Sequence, residues 1–531
     1  MQVREITLGR ALDEAAAANP DAIGWIFDDE RITFAEMRER SDRVAGALLA
    51  MGLGKGDTIA LWMPNLPEFA YLQFAAARIG VIAAAINTRS KSTEVAHILR
   101  QGDIKALFMV ETFLKHDFVA TLKEVAACEW TDGRIRSPHY PCLTHVVSVG
   151  AVEAGCNRPW NGFIDGCDRI APEALAAAAA RVELSDPVLL QYTSGTTSAP
   201  KGALLAHVYI LNYGVEFVRR MGVRAGETYM NTQPFYHVGG SCAALPVPLS
   251  TGVIMVSASY YTAERILELM ERERCVGRSG YSAMYMMEMD HPDFSRRDLS
   301  ALRAGWCVGS VPILEKIKRE FGLDDLFQIY AATEGGGTSG YSGESWDFQA
   351  RSCGTPLTGT ELRIVDRETR QPVGNGQVGE IQMRGWLMMN GYYKLPEITA
   401  ATIGPDGWLN SGDLGWMDET GHLYFAGRAK DMLKVGGENV SAEEVETVLL
   451  AHPGIRQVSV IGAPDERLGE VVMAVVETSR PLTQDEIIDY CKPRLANFRV
   501  PRYVRFTTDW PMTALGKIQK NVLRQRYCDR P

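Results

Sequence analysis

The stretch Tyr192-Thr193-Ser194-Gly195-Thr196-Thr197-Ser198-Ala199-Pro200-Lys201-Gly202 lies between two apolar runs, Val188-Leu189-Leu190 and Ala203-Leu204-Leu205. The first run, opened by Asp186-Pro187, reads as a short buried strand, and the polar stretch as the loop that leaves it. Hydroxyls, backbone N–H groups and one lysine in such a loop suit the gripping of phosphate oxygens. A plain polar surface loop is the competing reading, since Ser/Thr/Gly clusters are commonly that. A Walker A loop is excluded. Pro200 precedes Lys201, Gly202 follows it, and no Ser or Thr comes next to hold magnesium.

Outward from this loop, helical periodicity alternates with short β-branched runs. Phe34 to Leu53 reads as an amphipathic helix closed by Gly52-Leu53-Gly54, and Asp57 to Met63 as a buried strand. Glu68 to Ile79 reads as a helix and Val81 to Ile86 as a strand. This alternation predicts α/β architecture with mostly parallel sheets flanked by helices. Residues 128–170, rich in Cys, Pro, Gly and Trp, read as a loop-rich surface excursion. A boundary falls near Gly427-Arg428-Ala429-Lys430-Asp431. It divides a large domain, 1–427, from a small α+β domain, 428–531, with helices at 442–451 and 485–495 and strands at 458–461 and 471–476.

At 531 residues the chain is too long for one core, and its 46% hydrophobic and 23% charged residues are ordinary for a globular protein. The net charge of −10 offers no footprint for nucleic acid or an anionic membrane. No apolar run is long enough to span a bilayer and the start lacks a leader pattern, so no stable membrane insertion is expected. Ten scattered cysteines, with no C-x-x-C pair, predict reduced thiols and a cytoplasmic location. Nine histidines show no metal-binding spacing.

The loop closely resembles the phosphate loop of the adenylate-forming superfamily, [ST]-S-G-T-T-G-x-P-K-G, with Ser198 in place of one glycine. Further motifs follow in family order. They are Gln233-Pro234-Phe235-Tyr236-His237-Val238-Gly239-Gly240, Ala304-Gly305-Trp306, Gln328-Ile329-Tyr330-Ala331-Ala332-Thr333-Glu334, Ser411-Gly412-Asp413, Gly427-Arg428, Lys434-Val435-Gly436-Gly437-Glu438-Asn439 and Leu515-Gly516-Lys517. The resemblance is to acid–CoA ligases acting on fatty or aryl acids. It implies a mobile C-terminal lid hinged near Lys430, with ATP, Mg²⁺ and coenzyme A as the small molecules used.

By that resemblance, Thr193, Ser194, Gly195, Thr196, Thr197 and Lys201 contact phosphate, Tyr330 stacks on adenine, and Thr333 lies beside it. Asp413 accepts hydrogen bonds from the ribose hydroxyls, Arg428 adds a ribose or phosphate contact, and Glu334 with Thr196 holds Mg²⁺. Lys517 is the mobile cation bridging carboxylate and α-phosphate, and His237 lies near the acyl carboxylate. Val238, Gly239, Cys242, Tyr281, Ala304, Gly305, Trp306, Gly335 and Thr338 line the acyl pocket. With no cation among them, an apolar medium-chain, cyclic or aromatic acid is expected. Gly436, Gly437 and Arg499 face CoA, while Ser441-Ala442 departs from the family's Tyr-Pro. Taken without the resemblance, Glu334, Arg428, Lys517 and Arg499 also read as solvated charges, Asp413 as a turn residue and His237 as a packed one. A homodimer is left open. The competing functions are an adenylate-forming enzyme with a carrier-protein thiol or oxygen as acceptor, and a non-catalytic nucleotide-binding module.

Overall fold

The computed structural model describes residues 2–150, 156–193, 200–435, 438–465, 467–512 and 518–528, with Lys430, Glu438 and Asn439 described by backbone alone. The chain forms two compact units. One is drawn from 1–193, 199–361 and 384–409, the other chiefly from 362–383 and 410–531.

The first unit holds two seven-stranded sheets, counted over the described residues. One runs in the order Lys201–Ala206, Pro187–Thr193, Ile82–Ala85, Thr58–Trp62, Ala106–Met109, His145–Ser148, Arg158–Pro159. Every pairing is parallel except the first, an antiparallel hairpin that sets Thr193 opposite Lys201. The other runs Asp325–Phe327, Ala304–Trp306, Gly277–Arg278, Thr228–Asn231, Ile254–Ser257, Ile23–Phe27, Glu30–Thr33, and is parallel except for its last pair. Parallel strands are covered on both faces, which is why Ile59-Ala60-Leu61-Trp62 and Ile82-Ala83-Ala84-Ala85 are apolar without alternation.

Helix Phe34–Ala50 is set by a capping box, in which Thr33 Oγ1 accepts from Glu36 N–H and Glu36 accepts from Thr33 N–H. It ends one turn earlier than the periodicity suggests. Gly52 takes φ 80° and Leu53 N–H donates back to Leu48, a left-handed close that only glycine makes without strain. Its apolar face packs on helix Pro67–Ile79. Trp25 meets Phe34 and Phe74 edge-on at 5.2 and 5.9 Å. Each fully buried Leu, Ile or Phe in this core contributes about 1.5–3 kcal/mol.

The described residues of 128–170 are not a surface excursion. Strand His145–Ser148 extends the first sheet by pairing with Ala106–Met109, and Trp130, Ile135, Tyr140, Leu143 and Phe163 are buried. Irregular backbone hides the pattern, because these side chains enter the core from turns rather than from one periodic face.

The second unit carries most of a four-stranded sheet, Thr360–Val365, Gly379–Gly385, Leu409–Met417, Leu423–Arg428. Its five-stranded sheet is built from Met432–Val435, Glu438–Ser441, Ile455–Asp465, Gly469–Thr478 and Tyr503–Phe506. Helices Ala442–Leu450 and Gln484–Cys491 share a core with Leu433, Val460, Ala474 and Val476 on that sheet. The second helix stops short of the expected Leu495, since Pro493 has no N–H to continue the ladder. The fold class is α/β, with a smaller α+β C-terminal portion.

Candidate active site

In open α/β sheets ligands bind beyond the carboxyl ends of the strands. Strand Pro187–Thr193 ends where the Ser/Thr-rich loop begins. In the other sheet, Thr228–Asn231 leads into Gln233–Gly240, Gly277–Arg278 precedes Tyr281, Ala304–Trp306 ends on Trp306, and Asp325–Phe327 feeds the Tyr330–Glu334 segment. The motifs are far apart in sequence, yet all leave the same ends of parallel strands.

Strands Ile329–Ala332 and Gly335–Ser339 form an antiparallel hairpin whose two-residue turn is Thr333-Glu334. The turn is placed by main-chain bonds. Met389 N–H donates to Glu334 O at 2.9 Å, and Tyr209 Oη donates to Thr333 O at 3.3 Å. Gly335 has φ 147° and Gly336 φ 73°. A Cβ on Gly335 would lie 2.7 Å from Leu387 O, so the close approach of backbone requires glycine here. Tyr330 is buried opposite Thr338, whose Oγ1 donates to Cys353 O at 2.6 Å. The half-buried Glu334 accepts from Tyr392 Oη at 2.8 Å through Oε1.

At the loop's base, Thr193 Oγ1 lies 3.4 Å from Lys201 O, and His97 Nε2 lies 2.7 Å from Pro200 O. Tyr192 Oη donates to Gln101 at 2.5 Å. Lys201 Nζ sits 4.9 Å from the Tyr392 ring centroid. Ser194, Gly195, Thr196, Thr197 and Ser198 lie outside the described residues, as do Gly436, Gly437 and Lys517.

Among the residues expected to meet the acid, His237 caps the short helix Val238–Ser241, its Nδ1 accepting from Gly239 N–H at 3.1 Å. In the neutral ring the proton therefore sits on Nε2. Gly239 is half-buried, and a Cβ there would come 3.1 Å from Gln233 Cγ. Val238, Cys242, Ala304 and Trp306 are buried, and burial pushes the Cys242 thiol up to about 12, which leaves it an uncharged, apolar surface. Tyr281, partly exposed, meets Trp306 edge-on at 5.8 Å. Tyr285 Oη donates to Trp306 O at 3.2 Å, and a Cβ on Gly305 would lie 2.6 Å from that hydroxyl.

Two tyrosines missed in the sequence join these groups. Burial holds the Tyr209 and Tyr213 phenols far above the ordinary value. Smaller contributions come from Tyr213, Cys242 and Glu334 for Tyr209, and from Tyr281 and Cys242 for Tyr213. Both lie on helix His207–Arg220, one turn apart, a spacing that reads as an ordinary core stripe.

In the second unit Asp413 and Arg428 face each other across strands Leu409–Met417 and Leu423–Arg428. Arg428 Nε is 3.5 Å from Asp413 Oδ1, the side chains being 45% and 13% exposed. Asp413 N–H donates to Ser411 Oγ at 3.0 Å, and Ser411 Oγ donates to Ile381 O at 2.6 Å. Arg499 donates to Glu444 and lies 5.2 Å from the Phe498 ring. Lys430 falls in the single turn Ala429–Asp431. Ser441, where the family has Tyr, caps helix Ala442–Leu450 by accepting from Glu444 N–H, and donates to Ala426 O at 2.8 Å.

Residues 12–393 match the model of the AMP-binding enzyme family, and 444–517 that of the AMP-binding enzyme C-terminal domain. This chain belongs to the AMP-binding enzyme family. It is 32% identical to the putative acyl-CoA synthetase YngI of Bacillus subtilis, over 98% of this chain and 97% of that protein. It is also 32% identical to the mitochondrial medium-chain acyl-CoA ligase ACSF2 of Bos taurus, over 98% of this chain and 87% of that protein. Among solved structures it is similar to the anthranilate CoA ligase AuaEII bound to anthranoyl-AMP. The TM-score is 0.85 and the identity 25%, covering 99% and 98% of the two chains. The adenylate-forming, acid–CoA-ligase lineage expected from the motifs is the one found.

Proposed function

We propose that this enzyme is an AMP-forming acid–CoA ligase for an apolar medium-chain, cyclic or aromatic carboxylic acid. The carboxylate oxygen attacks the α-phosphorus of ATP, the bond to the bridging oxygen breaks, and pyrophosphate leaves acyl-AMP behind. The CoA sulfur then attacks the acyl carbon, expelling AMP and giving up its thiol proton. What carries the reading is the placement of Lys201 and Glu334 around one buried phenol at the carboxyl ends of the sheets, in a chain of the AMP-binding family.

ATP enters as its magnesium complex, and Mg²⁺ neutralises phosphate charge. The donor set fits this use. Glu334 Oε2 has no hydrogen-bond partner among the described residues, and those residues contain no cluster of three or more metal-ligating side chains. Such sparse protein ligation suits an ion held mainly by phosphates and water, with Glu334 and Thr196 as its protein contacts. Thr193, Ser194, Gly195, Thr197 and Lys201 grip the phosphates, Tyr330 and Thr333 border the adenine, and Asp413 with Arg428 takes the ribose. Lys517 supplies the mobile positive charge in the first transition state, and His237 stands at the acyl carboxylate.

The acid class is supported by the pocket residues Val238, Gly239, Cys242, Tyr281, Ala304, Gly305, Trp306, Gly335 and Thr338, none of them cationic. Gly436, Gly437 and Arg499 serve CoA. The functional division is placed at 427/428, with Lys430 as the hinge of the 428–531 lid. Cytoplasmic location is supported by ten cysteines, all free thiols. No described helix is long and apolar enough to cross a membrane. Sedimentation decides between a single chain and a homodimer. The test of the acid class is a kcat/KM panel of aliphatic, aryl and dicarboxylic acids. Apolar monoacids of medium size are expected to lead, and a leading dicarboxylate would refute the assignment.

A further inference from the structure

Lys201 and Glu334 carry opposite charges at one site, yet among the described residues no ion pair joins them. Tyr392 lies between the two in its contacts. Its ring faces the Lys201 ammonium at 4.9 Å and its hydroxyl donates to Glu334 Oε1 at 2.8 Å. The phenol is 6% exposed and is held from behind. Tyr392 N–H donates to Thr399 Oγ1 at 2.9 Å, and Thr399 Oγ1 donates to Leu395 O at 2.9 Å. A Cβ on the preceding Gly391, at φ 110°, would lie 2.8 Å from Thr399, so the backbone can take this position only as glycine.

The segment carrying Tyr392 also ties the two halves of the site together. Asn390 N–H donates to Leu204 O at 2.8 Å, Leu204 N–H to Gly391 O at 2.9 Å, and Tyr393 N–H to Gly202 O at 2.8 Å, alongside the strand that begins with Lys201. At its other end Gly336 N–H donates to Leu387 O at 2.6 Å and Met389 N–H to Glu334 O at 2.9 Å. One extended run thus fixes the lysine strand and the glutamate turn to a common frame.

We infer that Tyr392 is a positioning residue that keeps Lys201 and Glu334 apart, poised for phosphate and for the magnesium that accompanies it. A cation over an aromatic face is held without a counter-charge. A carboxylate given one neutral donor keeps its second oxygen open. Without the phenol, the ammonium and carboxylate would pair, and MgATP would have to break that pair before binding. The inference rests on the ligase reading given above.

Two variants separate the ring from the hydroxyl. Tyr392→Phe keeps the face for Lys201 and removes the donor to Glu334, whereas Tyr392→Ala removes both. ATP affinity is read by calorimetry in the absence of acid, once with Mg²⁺ and once with EDTA. In Tyr392→Phe the gain in affinity that Mg²⁺ confers is expected to shrink about tenfold, as for loss of a hydrogen bond to a charged group, while affinity in EDTA stays at the wild-type value. In Tyr392→Ala both are expected to fall. Tyr392→Phe added to Glu334→Gln is expected to cost little more than Glu334→Gln alone, because the hydroxyl acts through the carboxylate. An undiminished Mg²⁺-dependent gain in Tyr392→Phe, equal losses with and without Mg²⁺, or full additivity with Glu334→Gln would overturn the role. Failure of the wild-type protein to bind ATP at all would instead remove the ligase reading, and this inference with it.

Discussion

The first unit and the second each contain a prominent arginine–carboxylate pair, and the two are built in opposite ways. Arg278 and Glu288 are wholly buried, with Arg278 Nη2 at 2.9 Å from Glu288 Oε1. Tyr261 Oη donates to the same carboxylate at 2.9 Å, and the Tyr285 ring lies 3.9 Å from the guanidinium. Tyr285 in turn bonds Trp306 O. Asp413 and Arg428 stand 3.5 Å apart on adjacent strands, the arginine nearly half exposed. The buried pair is shut off from solvent and, through the Gly277–Arg278 strand, braces the strand that ends on Trp306. The looser pair is weakly held by its own attraction, so the nearly half-exposed Arg428 can be redirected to an anion at small cost. Charge is thus used permanently beside Trp306 and exchangeably at Arg428, which with Asp413 is proposed to take the ribose.

Glu288→Gln should do the greatest damage of any change here, because it leaves the Arg278 charge buried and uncompensated. A stability loss of about 3–5 kcal/mol is expected, read from the denaturant midpoint of the first unit's unfolding. An unchanged midpoint would erase the contrast between the pairs. Asp413→Ala should leave that midpoint in place but weaken AMP binding by about ten- to a hundredfold, as for a lost charge-assisted hydrogen bond. Calorimetry showing unaltered AMP affinity would reduce the second pair to a surface ornament of the sheet.

Trp306→Ala tests what the buried pair braces. Acids with extra methylenes should gain about 0.8 kcal/mol in kcat/KM for each methylene that the new space buries. A constant ranking across the acid panel would show that the indole does not bound the pocket. The smallest effect is expected for Arg499→Ala. Its partner Glu444 is 42% exposed and the pair is worth at most about 1 kcal/mol. Stability should fall by no more than about that amount, and KM for CoA should rise by less than about fivefold. A larger rise would make Arg499 part of the exchangeable set.

The α/β alternation was legible because buried parallel strands are apolar without interruption, as in Ile59–Trp62. The family was legible because the motifs that carry the resemblance are each local in sequence. What stayed hidden was hidden for physical reasons. Tyr392 meets Glu334 across 58 positions, a contact that no local pattern encodes. Strand Gly335–Ser339 opens with three glycines, which have no side chains to alternate, so Gly335 and Thr338 read as pocket lining rather than as half of a hairpin. Tyr209 and Tyr213 looked like any helical core stripe, since burial and proximity to a site leave the same spacing. Strand His145–Ser148 is four residues long and surrounded by turns, too short for its period to stand out.

This enzyme makes an acyl-adenylate from ATP and passes the acyl group to CoA. The direct measurement follows all nucleotide and acyl products from ATP, Mg²⁺, CoA and an apolar medium-size acid, for the wild type and for Lys517→Ala. The wild type is predicted to give AMP, pyrophosphate and one thioester per AMP. Lys517→Ala should lose AMP formation from ATP while still converting pre-made acyl-AMP to thioester, since that lysine is proposed to serve the first transition state only. ADP with phosphate in place of AMP, or AMP released with no thioester formed, would contradict the account.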